Sequence, residues 1–174
     1  RKVTYMLISC GFAEVLFFIF AIILNFPMPL VAIQILWLNL VTDGLKDMVL
    51  SFESETDTIM SEKPRSTKES LFEKELITQT LIGGLCIGLI VFGVWAYLCK
   101  VLHMEVEHAR GYILALMVFM QNIHVLNCRS ESKSVFKNSF RKNPFVIFTI
   151  AGSVLLQVIV MEVPILSRFL QTYK

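Results

Sequence analysis

Charged residues are scarce in this sequence, making up 17% of the 174 residues, whereas 55% are hydrophobic. A soluble globular domain carries about 25% charged residues, so this balance excludes an ordinary water-soluble fold. The charge that is present gathers in two stretches, 53–75 and 128–142, which separate long apolar runs. The composition therefore indicates a membrane protein, and the net charge of +2 gives no indication of nucleic-acid binding.

Cysteines at metal-binding or disulfide-type spacings are also lacking. The four cysteines are scattered along the chain without a CxxC or Cys/His pattern, at Cys10, Cys86, Cys99 and Cys128. This distribution disfavours a zinc site and a disulfide framework, and we interpret all four as reduced structural residues. A cleavable signal peptide is not visible either, because the first apolar run lacks a small-residue cleavage site and contains Glu14. We therefore expect the chain to be a fragment that begins within a helix.

Long apolar runs, by contrast, are abundant. A membrane-spanning helix needs about 20 mostly apolar residues, and the sequence predicts five such helices, over 5–25, 31–51, 76–99, 111–127 and 144–163. The predicted fold is an all-α, polytopic transmembrane helical bundle. Pro27 and Pro29 leave room only for a tight connection between the first two helices. Polar loops over 52–75 and 128–143 follow the second and fourth helices.

Lysine and arginine are distributed unevenly between the two ends of the predicted helices. Twelve of the sixteen fall on the side that holds the N-terminus, Lys46 and loops 52–75 and 128–143, the exceptions being Lys100, Arg110, Arg168 and Lys174. Cytoplasmic segments of membrane proteins carry an excess of these residues. We therefore predict that both loops are cytoplasmic and that the final residues emerge on the outer side.

Polar residues interrupt the second predicted helix in the segment WLNLVTDGL, residues 37–45. Asn39, Thr42 and Asp43 fall at i, i+3 and i+4, so they would share one face of an α-helix. A carboxylate within the bilayer is costly and points to function, and hard cations such as Ca²⁺ prefer oxygen ligands. Gly44 would let the helix loosen so that backbone carbonyls also face the ion. We predict a cation site, and a polar interhelical hydrogen-bond cluster is the alternative.

Two further helices carry polar residues at membrane depth. Glu14 lies midway along the first helix, where an ionised carboxylate must meet a cation, a proton or a basic partner. On the fourth helix, Gln121 could add an amide oxygen to the cation site, whereas we interpret His124 as a packing or hydrogen-bonding residue. Glu162 lies near the predicted outer end of the last helix, where interfacial solvation explains it.

Small residues on the third helix indicate a close helix contact. Gly84 and Gly88 have the GxxxG spacing, which lets another backbone approach closely. General small-residue packing explains the pattern equally well. If the glycines do serve one particular partner, the best candidate is the first helix, which carries Gly11 and Ala13.

These segments resemble P-type cation-transporting ATPases, and the calcium pumps most closely. PLVAIQILWLNLVTDGL and DTIMSEKPR are similar to the sixth transmembrane helix of these pumps and the cytoplasmic loop after it. YMLISCGFAEV resembles the fifth helix, IGGLCIG the seventh, MQNIHVLNCRSES the eighth with its loop, and NPFVIFTIAGS the ninth. The resemblance covers nearly the whole chain and implies a fragment, the fifth to ninth helices, of a ten-helix membrane domain.

The resemblance also implies a function and a set of site residues. It implies ATP-driven cation export, with Ca²⁺ as the transported ion, through a site between the fourth, fifth, sixth and eighth helices. The implied ligands are Glu14, Asn39, Thr42, Asp43 and Gln121. The implied partners are the lipid bilayer and the remaining helices and cytoplasmic domains of the same pump. ATP and Mg²⁺ would act only through domains outside this chain.

Several positions depart from the family pattern. Gly11 stands where reticulum-type calcium pumps have an Asn, and Gln121 stands where they have a Glu, as it does in plasma-membrane calcium pumps. Two ligands of one of the two ion sites are therefore weakened. Lys46 and Asp47 follow TDGL, where the family usually has Pro and a small residue. Lys46 could snorkel to the interface or turn back one helical turn to neutralise Asp43, and we favour snorkelling.

Motifs that P-type pumps use to hydrolyse ATP are lacking: DKTGT, TGE and the fourth-helix Pro-Glu motif. We therefore expect this chain to hydrolyse no ATP by itself. The preferred function is the carboxy-terminal membrane portion of a calcium-type pump. An ATP-independent ion channel or secondary transporter, or a non-catalytic membrane scaffold, are the alternatives. We expect a multi-pass location in a membrane, and we favour a bacterial plasma membrane.

Overall fold

The computed structural model describes residues 2–52, 74–129 and 143–172, and this part of the chain is helical without a strand. The helices are α1 (Lys2–Ile23), α2 (Ala32–Leu36), a π-helical segment (Trp37–Asp43), α3 (Gly44–Ser51), α4 (Lys74–Lys100), α5 (Val106–Cys128), α6 (Phe145–Glu162) and α7 (Pro164–Phe169). The predicted all-α bundle is confirmed. Most of the two predicted polar loops lies outside the described residues, so their cytoplasmic location stays a prediction.

Four uninterrupted helices in the described part of the chain are long and apolar enough to cross a membrane: Lys2–Ile23, Ile77–Lys100, Val106–Cys128 and Phe145–Glu162. The predicted span over 31–51 is also helical, but it consists of α2, the π-helical segment and α3 in succession. We call residues 32–51 the interrupted helix. Hydropathy detected the length of this element but not the change in its winding, which accounts for the difference from five predicted spans.

The connection between α1 and the interrupted helix is tight, as the two prolines predict. Asn25 has a φ of 53°, in the left-handed region that Asn tolerates better than most residues. The Phe26 N–H donates to the Ala21 carbonyl at 2.8 Å, and the Asn25 N–H donates to the Ile22 carbonyl at 3.1 Å. These paired bonds form a Schellman cap. The cap ends α1 two residues before the predicted boundary.

The start of α5 is earlier than hydropathy predicts. The helix begins at Val106 rather than at residue 111. Hydropathy does not detect its first turn because that turn contains the polar residues Glu107 and His108. One turn later, Arg110 Nε donates a hydrogen bond to the Met28 carbonyl at 3.0 Å. This bond ties the beginning of α5 to the connection that precedes the interrupted helix.

The closest helix contact joins α1 and α4. A Cβ added to Gly84 would lie 2.6 Å from Phe12 Cδ1 and 2.9 Å from the Ser9 carbonyl oxygen, and one added to Gly88 would lie 3.2 Å from the Ala13 carbonyl oxygen. The GxxxG spacing therefore serves a specific partner, and the prediction that this partner is the first helix is confirmed. Gly11 takes no part, because a Cβ there has no atom within 4 Å.

Gly84→Ala is expected to destabilise the protein because its methyl group would press on the α1 backbone, which must move away. Overpacking of this kind costs roughly 1–3 kcal/mol. The measurement is the thermal midpoint of the purified full-length protein in detergent. Gly93→Ala, on the same helix and with no atom within 4 Å of the added Cβ, is the matched control. Equal midpoints for the two variants would contradict the close contact.

Two hydrophobic clusters lie at different levels of the bundle. The larger one joins α1, the π-helical segment, α4 and α5, and it includes Phe17, Leu38, Trp95, Leu114 and Met117. The smaller one joins α1, α3 and α5, and it includes Met6, Cys10, Leu50, Val125 and Cys128. Along the interrupted helix and α5, the polar residues singled out above fall between these clusters, whereas Glu14 on α1 lies between Ala13 and Phe17 of the larger one. The fold therefore encloses a polar level between two apolar ones.

A short helix beyond the predicted spans folds back onto the bundle. After α7, the Gln171 N–H donates to the Arg168 carbonyl and the Thr172 N–H to the Ser167 carbonyl, another Schellman cap. The cap presents the Leu170 carbonyl to Gln34 Nε2, which donates to it at 3.0 Å. Gln34 Oε1 also accepts a bond from the Val31 N–H at 3.0 Å. The buried Gln34 side chain thus anchors the first turn of the interrupted helix to residue 170.

Candidate cation site

The π-helical winding coincides with the polar segment of the interrupted helix. A π-helix bonds each N–H five residues back rather than four and appears frequently at functional sites. Two side chains bond carbonyls within this region: Thr42 Oγ1 donates to the Leu38 carbonyl at 2.6 Å, and Asn39 Nδ2 donates to the Ile35 carbonyl at 3.1 Å. The loosening expected at Gly44 is therefore present, but it lies just before this residue, from Trp37 to Asp43.

Three buried side chains from two elements close a ring of hydrogen bonds. Lys46 Nζ lies 3.2 Å from Asp43 Oδ1 and donates to Gln121 Oε1 at 3.0 Å. Gln121 Nε2 donates to Asp43 Oδ2 at 3.1 Å, which completes the ring. Thr42 Oγ1 also lies 3.2 Å from Gln121 Oε1. None of these four side chains is more than 1% exposed. The structure thus brings together three predicted ligand residues, Thr42, Asp43 and Gln121.

The expectation that Lys46 snorkels to the interface is wrong, because its side chain is fully buried and paired with Asp43. The physical reason is the cost of the alternative. A carboxylate left buried without a partner is penalised by several kcal/mol, and Lys46 lies three residues after Asp43, where side chains on a helix can meet. Neutralising Asp43 and bonding Gln121 outweighs the hydration that the ammonium would gain in the headgroup region.

Glu14 and Asn39 form a second polar group at the same level. Asn39 Nδ2 donates to Glu14 Oε2 at 3.2 Å, while Glu14 Oε1 is buried without a hydrogen-bond partner in the described residues. Asn39 is exposed, whereas Thr42 and Asp43 are buried. The three residues therefore do not share one environment, although α-helical spacing predicts that they lie on one face. Asn39 bonds Glu14 on α1, whereas Asp43 bonds Gln121 on α5.

Glu14, Thr42, Asp43 and Gln121 offer hard oxygen ligands in a buried, charged site. Within the described ranges no group of three His, Cys, Asp or Glu residues could hold a metal ion. A cation here would therefore also need amide, hydroxyl or backbone oxygens, which suit Ca²⁺. Both Asp43 oxygens and Gln121 Oε1 already accept hydrogen bonds. In this conformation the Lys46 ammonium takes the position among these oxygens that a bound cation would need.

Three polar contacts lie beside the site, and the interpretation of His124 as a hydrogen-bonding residue is confirmed. Its Nε2 lies 2.6 Å from Ser9 Oγ, which joins α5 to α1. On the other side, α6 contributes Ser153 and Gln157, two residues that the sequence interpretation missed. Ser153 Oγ donates to Asn122 Oδ1 at 2.9 Å, and Gln157 Oε1 accepts from Trp37 Nε1 at 3.2 Å. Their spacing of four residues on an otherwise apolar helix was the available signal.

The long apolar helices define a multi-pass membrane protein, with buried carboxylates inside the bundle. Intramembrane acidic residues that face a bundle interior mark ion pathways, and the unwound segment is typical of a coordinating helix. Residues 27–174 match the family described as "Cation transporting ATPase, C-terminus". The chain belongs to this family.

Curated relatives agree with the family match. The chain is 37% identical over 175 residues to a calcium-transporting ATPase of Bacillus subtilis (strain 168), an alignment that covers 99% of this chain and 19% of the relative. It is 32% identical to calcium-transporting ATPase 1 of Bacillus cereus, covering 97% of this chain and 20% of the relative. It is 30% identical to calcium-transporting ATPase type 2C member 1 of Homo sapiens, covering 95% and 18%. The chain thus spans about a fifth of the length of these relatives.

Proposed function

We propose that this chain is the carboxy-terminal membrane portion of an ATP-driven pump that transports Ca²⁺. The observation that carries the proposal is the buried Asp43 carboxylate, held by Gln121 within an interrupted membrane helix. An intramembrane acid that faces other helices is costly to retain without a function. The relatives named above are calcium-transporting ATPases, which supports Ca²⁺ as the ion.

The ligands that we propose for the ion are Glu14, Asn39, Thr42, Asp43 and Gln121. Glu14 Oε1 has no hydrogen-bond partner in the described residues and is available to a cation. Asn39 lies beside it and can turn its amide oxygen toward the same ion. Thr42, Asp43 and Gln121 would supply the remaining ligands from the ring of buried side chains. An ion between Glu14 and Asp43 would meet two carboxylates, which is the charge that favours a divalent cation.

The remaining requirements of the pump are proposed to come from parts of the protein outside this chain. ATP and Mg²⁺ would bind cytoplasmic domains, and the other membrane helices would complete the ion coordination. The exposed Asn39 side chain and the large exposed hydrophobic residues along α1 and α4 fit contact with such helices and with lipid. The Bacillus relatives support a bacterial plasma membrane as the location.

A non-catalytic membrane scaffold is the second candidate, because the Lys46 ammonium blocks Asp43 in the described conformation. Such a protein would keep the helix bundle of the family but would bind no transported ion.

Calcium-dependent phosphorylation of the full-length protein distinguishes the two candidates. The purified protein in detergent is incubated with labelled ATP and Mg²⁺, with calcium present or removed by a chelator. A pump is expected to form an acid-stable phosphoprotein only when calcium is present. A scaffold would form none at any calcium concentration. Parallel samples with Mn²⁺ or Na⁺ in place of Ca²⁺ test the identity of the ion, since oxygen ligands also accept these cations.

A further inference from the structure

We infer that Lys46 is a tethered cation that competes with the transported ion for Asp43 and so sets the affinity of the pump for that ion. The inference rests on the proposed function and deepens it. In this role Lys46 is a specificity-determining residue, and its covalently attached ammonium supplies positive charge to the site when no ion is bound.

Two of the oxygens proposed for the transported ion hold the Lys46 ammonium. The ammonium lies 3.2 Å from one Asp43 oxygen and 3.0 Å from the Gln121 amide oxygen. The second Asp43 oxygen is held by Gln121 Nε2 at 3.1 Å, so the carboxylate is fixed in one orientation. Thr42 Oγ1 lies 3.2 Å from the same amide oxygen. Two of the ligands proposed for the transported ion therefore bind the ammonium directly.

Charge balance gives the ammonium a reason to be there. An empty ion site leaves the Asp43 carboxylate buried and uncompensated, which is strongly destabilising. Lys46 supplies a positive charge from the same helix, and its ammonium, which is 0% exposed, pairs with the Asp43 carboxylate. The Lys46 ammonium thereby stabilises the site when no ion is bound, without a cation from solution.

Displacement of the ammonium has a clear direction. Lys46 lies five residues before Ser51, the last residue of α3, a distance of about 7.5 Å along the helix axis. A flexible four-carbon stem lets a lysine reach from a buried position toward the headgroup region. When Ca²⁺ enters and binds Asp43, the ammonium is expected to swing toward that end. The paired and the snorkelling positions of Lys46 are then two states of one ion-exchange step.

Competition predicts a measurable change in affinity. A ligand that binds only the fraction of molecules with a free site has an apparent affinity reduced by that fraction. If Lys46 occupies Asp43 in about nine tenths of ion-free molecules, its removal raises the apparent calcium affinity about tenfold. Lys46→Met keeps the volume and the apolar stem without the charge. Lys46→Arg keeps the charge and is expected to retain the weaker affinity of the unmodified protein.

The experiment measures calcium-dependent phosphorylation from ATP in the full-length protein and its variants, with calcium buffered over a wide range. Lys46→Met is expected to reach half-maximal phosphorylation at about one tenth of the calcium concentration that the unmodified protein needs. Lys100→Met is the matched control, because Lys100 ends a membrane helix and contacts Phe26 rather than the site. This control is expected to leave the calcium dependence unchanged.

Phosphorylation from inorganic phosphate in the absence of calcium reports whether each variant is folded. If Lys46→Met fails this test, Lys46→Gln, which can still hydrogen-bond Asp43 and Gln121, replaces it. An unchanged or weaker calcium affinity in a folded neutral variant would overturn the inference, since the ammonium would then not compete with the ion. Failure of the proposed function is a separate result: the unmodified protein itself would show no calcium-dependent phosphorylation.

Discussion

Asp43→Asn in the full-length protein is expected to abolish calcium-dependent phosphorylation from ATP while phosphorylation from inorganic phosphate persists. The substitution keeps the volume of the side chain and removes its charge. Calcium affinity depends on the number and charge of its ligands, and Asp43 is the only carboxylate in the ring that it forms with Lys46 and Gln121. The forward reaction needs the bound ion, whereas the reverse phosphorylation occurs from the ion-free state.

The stability of this variant needs its own control, because the substitution would leave the Lys46 ammonium buried without its counter-charge. Breaking a buried pair in this way costs about 3–5 kcal/mol. The double substitution Asp43→Asn with Lys46→Met removes both charges and is expected to recover stability without recovering calcium dependence. Glu107→Gln removes a carboxylate charge in the same way from an exposed residue of α5 and is expected to be silent. Normal calcium dependence in Asp43→Asn would show that Asp43 is a structural residue.

Equilibrium binding of radioactive calcium to the full-length protein is expected to reach a plateau of one ion per phosphorylatable molecule rather than two. Gly11 offers no side-chain ligand, and Gln121 is neutral where the reticulum-type pumps resembled by the sequence have a carboxylate. The Gln121 amide oxygen also accepts a hydrogen bond from Lys46 at 3.0 Å. Fewer oxygens and one charge less should weaken a second divalent site severely. Glu14 would then be free to carry a counter-transported proton.

A matched substitution tests the cause of this stoichiometry. Gly11→Asn restores an amide three residues before Glu14, on the same face of α1, and a side chain fits there because a Cβ meets no atom within 4 Å. Combined with Gln121→Glu, it is expected to raise the plateau toward two ions. A plateau of two ions in the unmodified protein would instead require ligands from elsewhere, and the single-site interpretation would be abandoned.

Hydropathy predicted the helices of this protein well because a bilayer imposes one simple requirement on each of them. Boundaries that depend on caps were less accurate. The Schellman cap at Asn25 ends α1 early, and the polar first turn with Glu107 extends α5 beyond its apolar run. The fold-back of α7 was missed, since a six-residue helix followed by a capped turn has no hydropathy signal. The α1–α4 contact was predictable because GxxxG reports backbone approach directly.

The candidate site was predictable as a list of residues but not as an arrangement. Spacing rules for an α-helix put Asn39, Thr42 and Asp43 on one face, but Asn39 bonds Glu14 on α1 and Asp43 bonds Gln121 on α5. The position of Lys46 was misjudged for a related reason. Whether the Lys46 ammonium lies at the headgroups or at Asp43 depends on Gln121, which lies on another helix and supplies its second hydrogen-bond acceptor. Such choices are decided by tertiary contacts that a single sequence does not display.

The π-helical segment holds one residue more than an α-helix of the same length would hold. It accommodates one residue more per turn than the α-helical segments on either side. If the π-helical segment rewound as an α-helix and passed this extra residue to a neighbouring segment, α3 would rotate by about 100° and shift by about 1.5 Å relative to α2. Gln34 fastens the α2 end to residue 170, so the rotation would fall on the half that carries Asp43 and Lys46. A slip of a single residue would thus exchange the neighbours of both charges while the far end of the helix stays still.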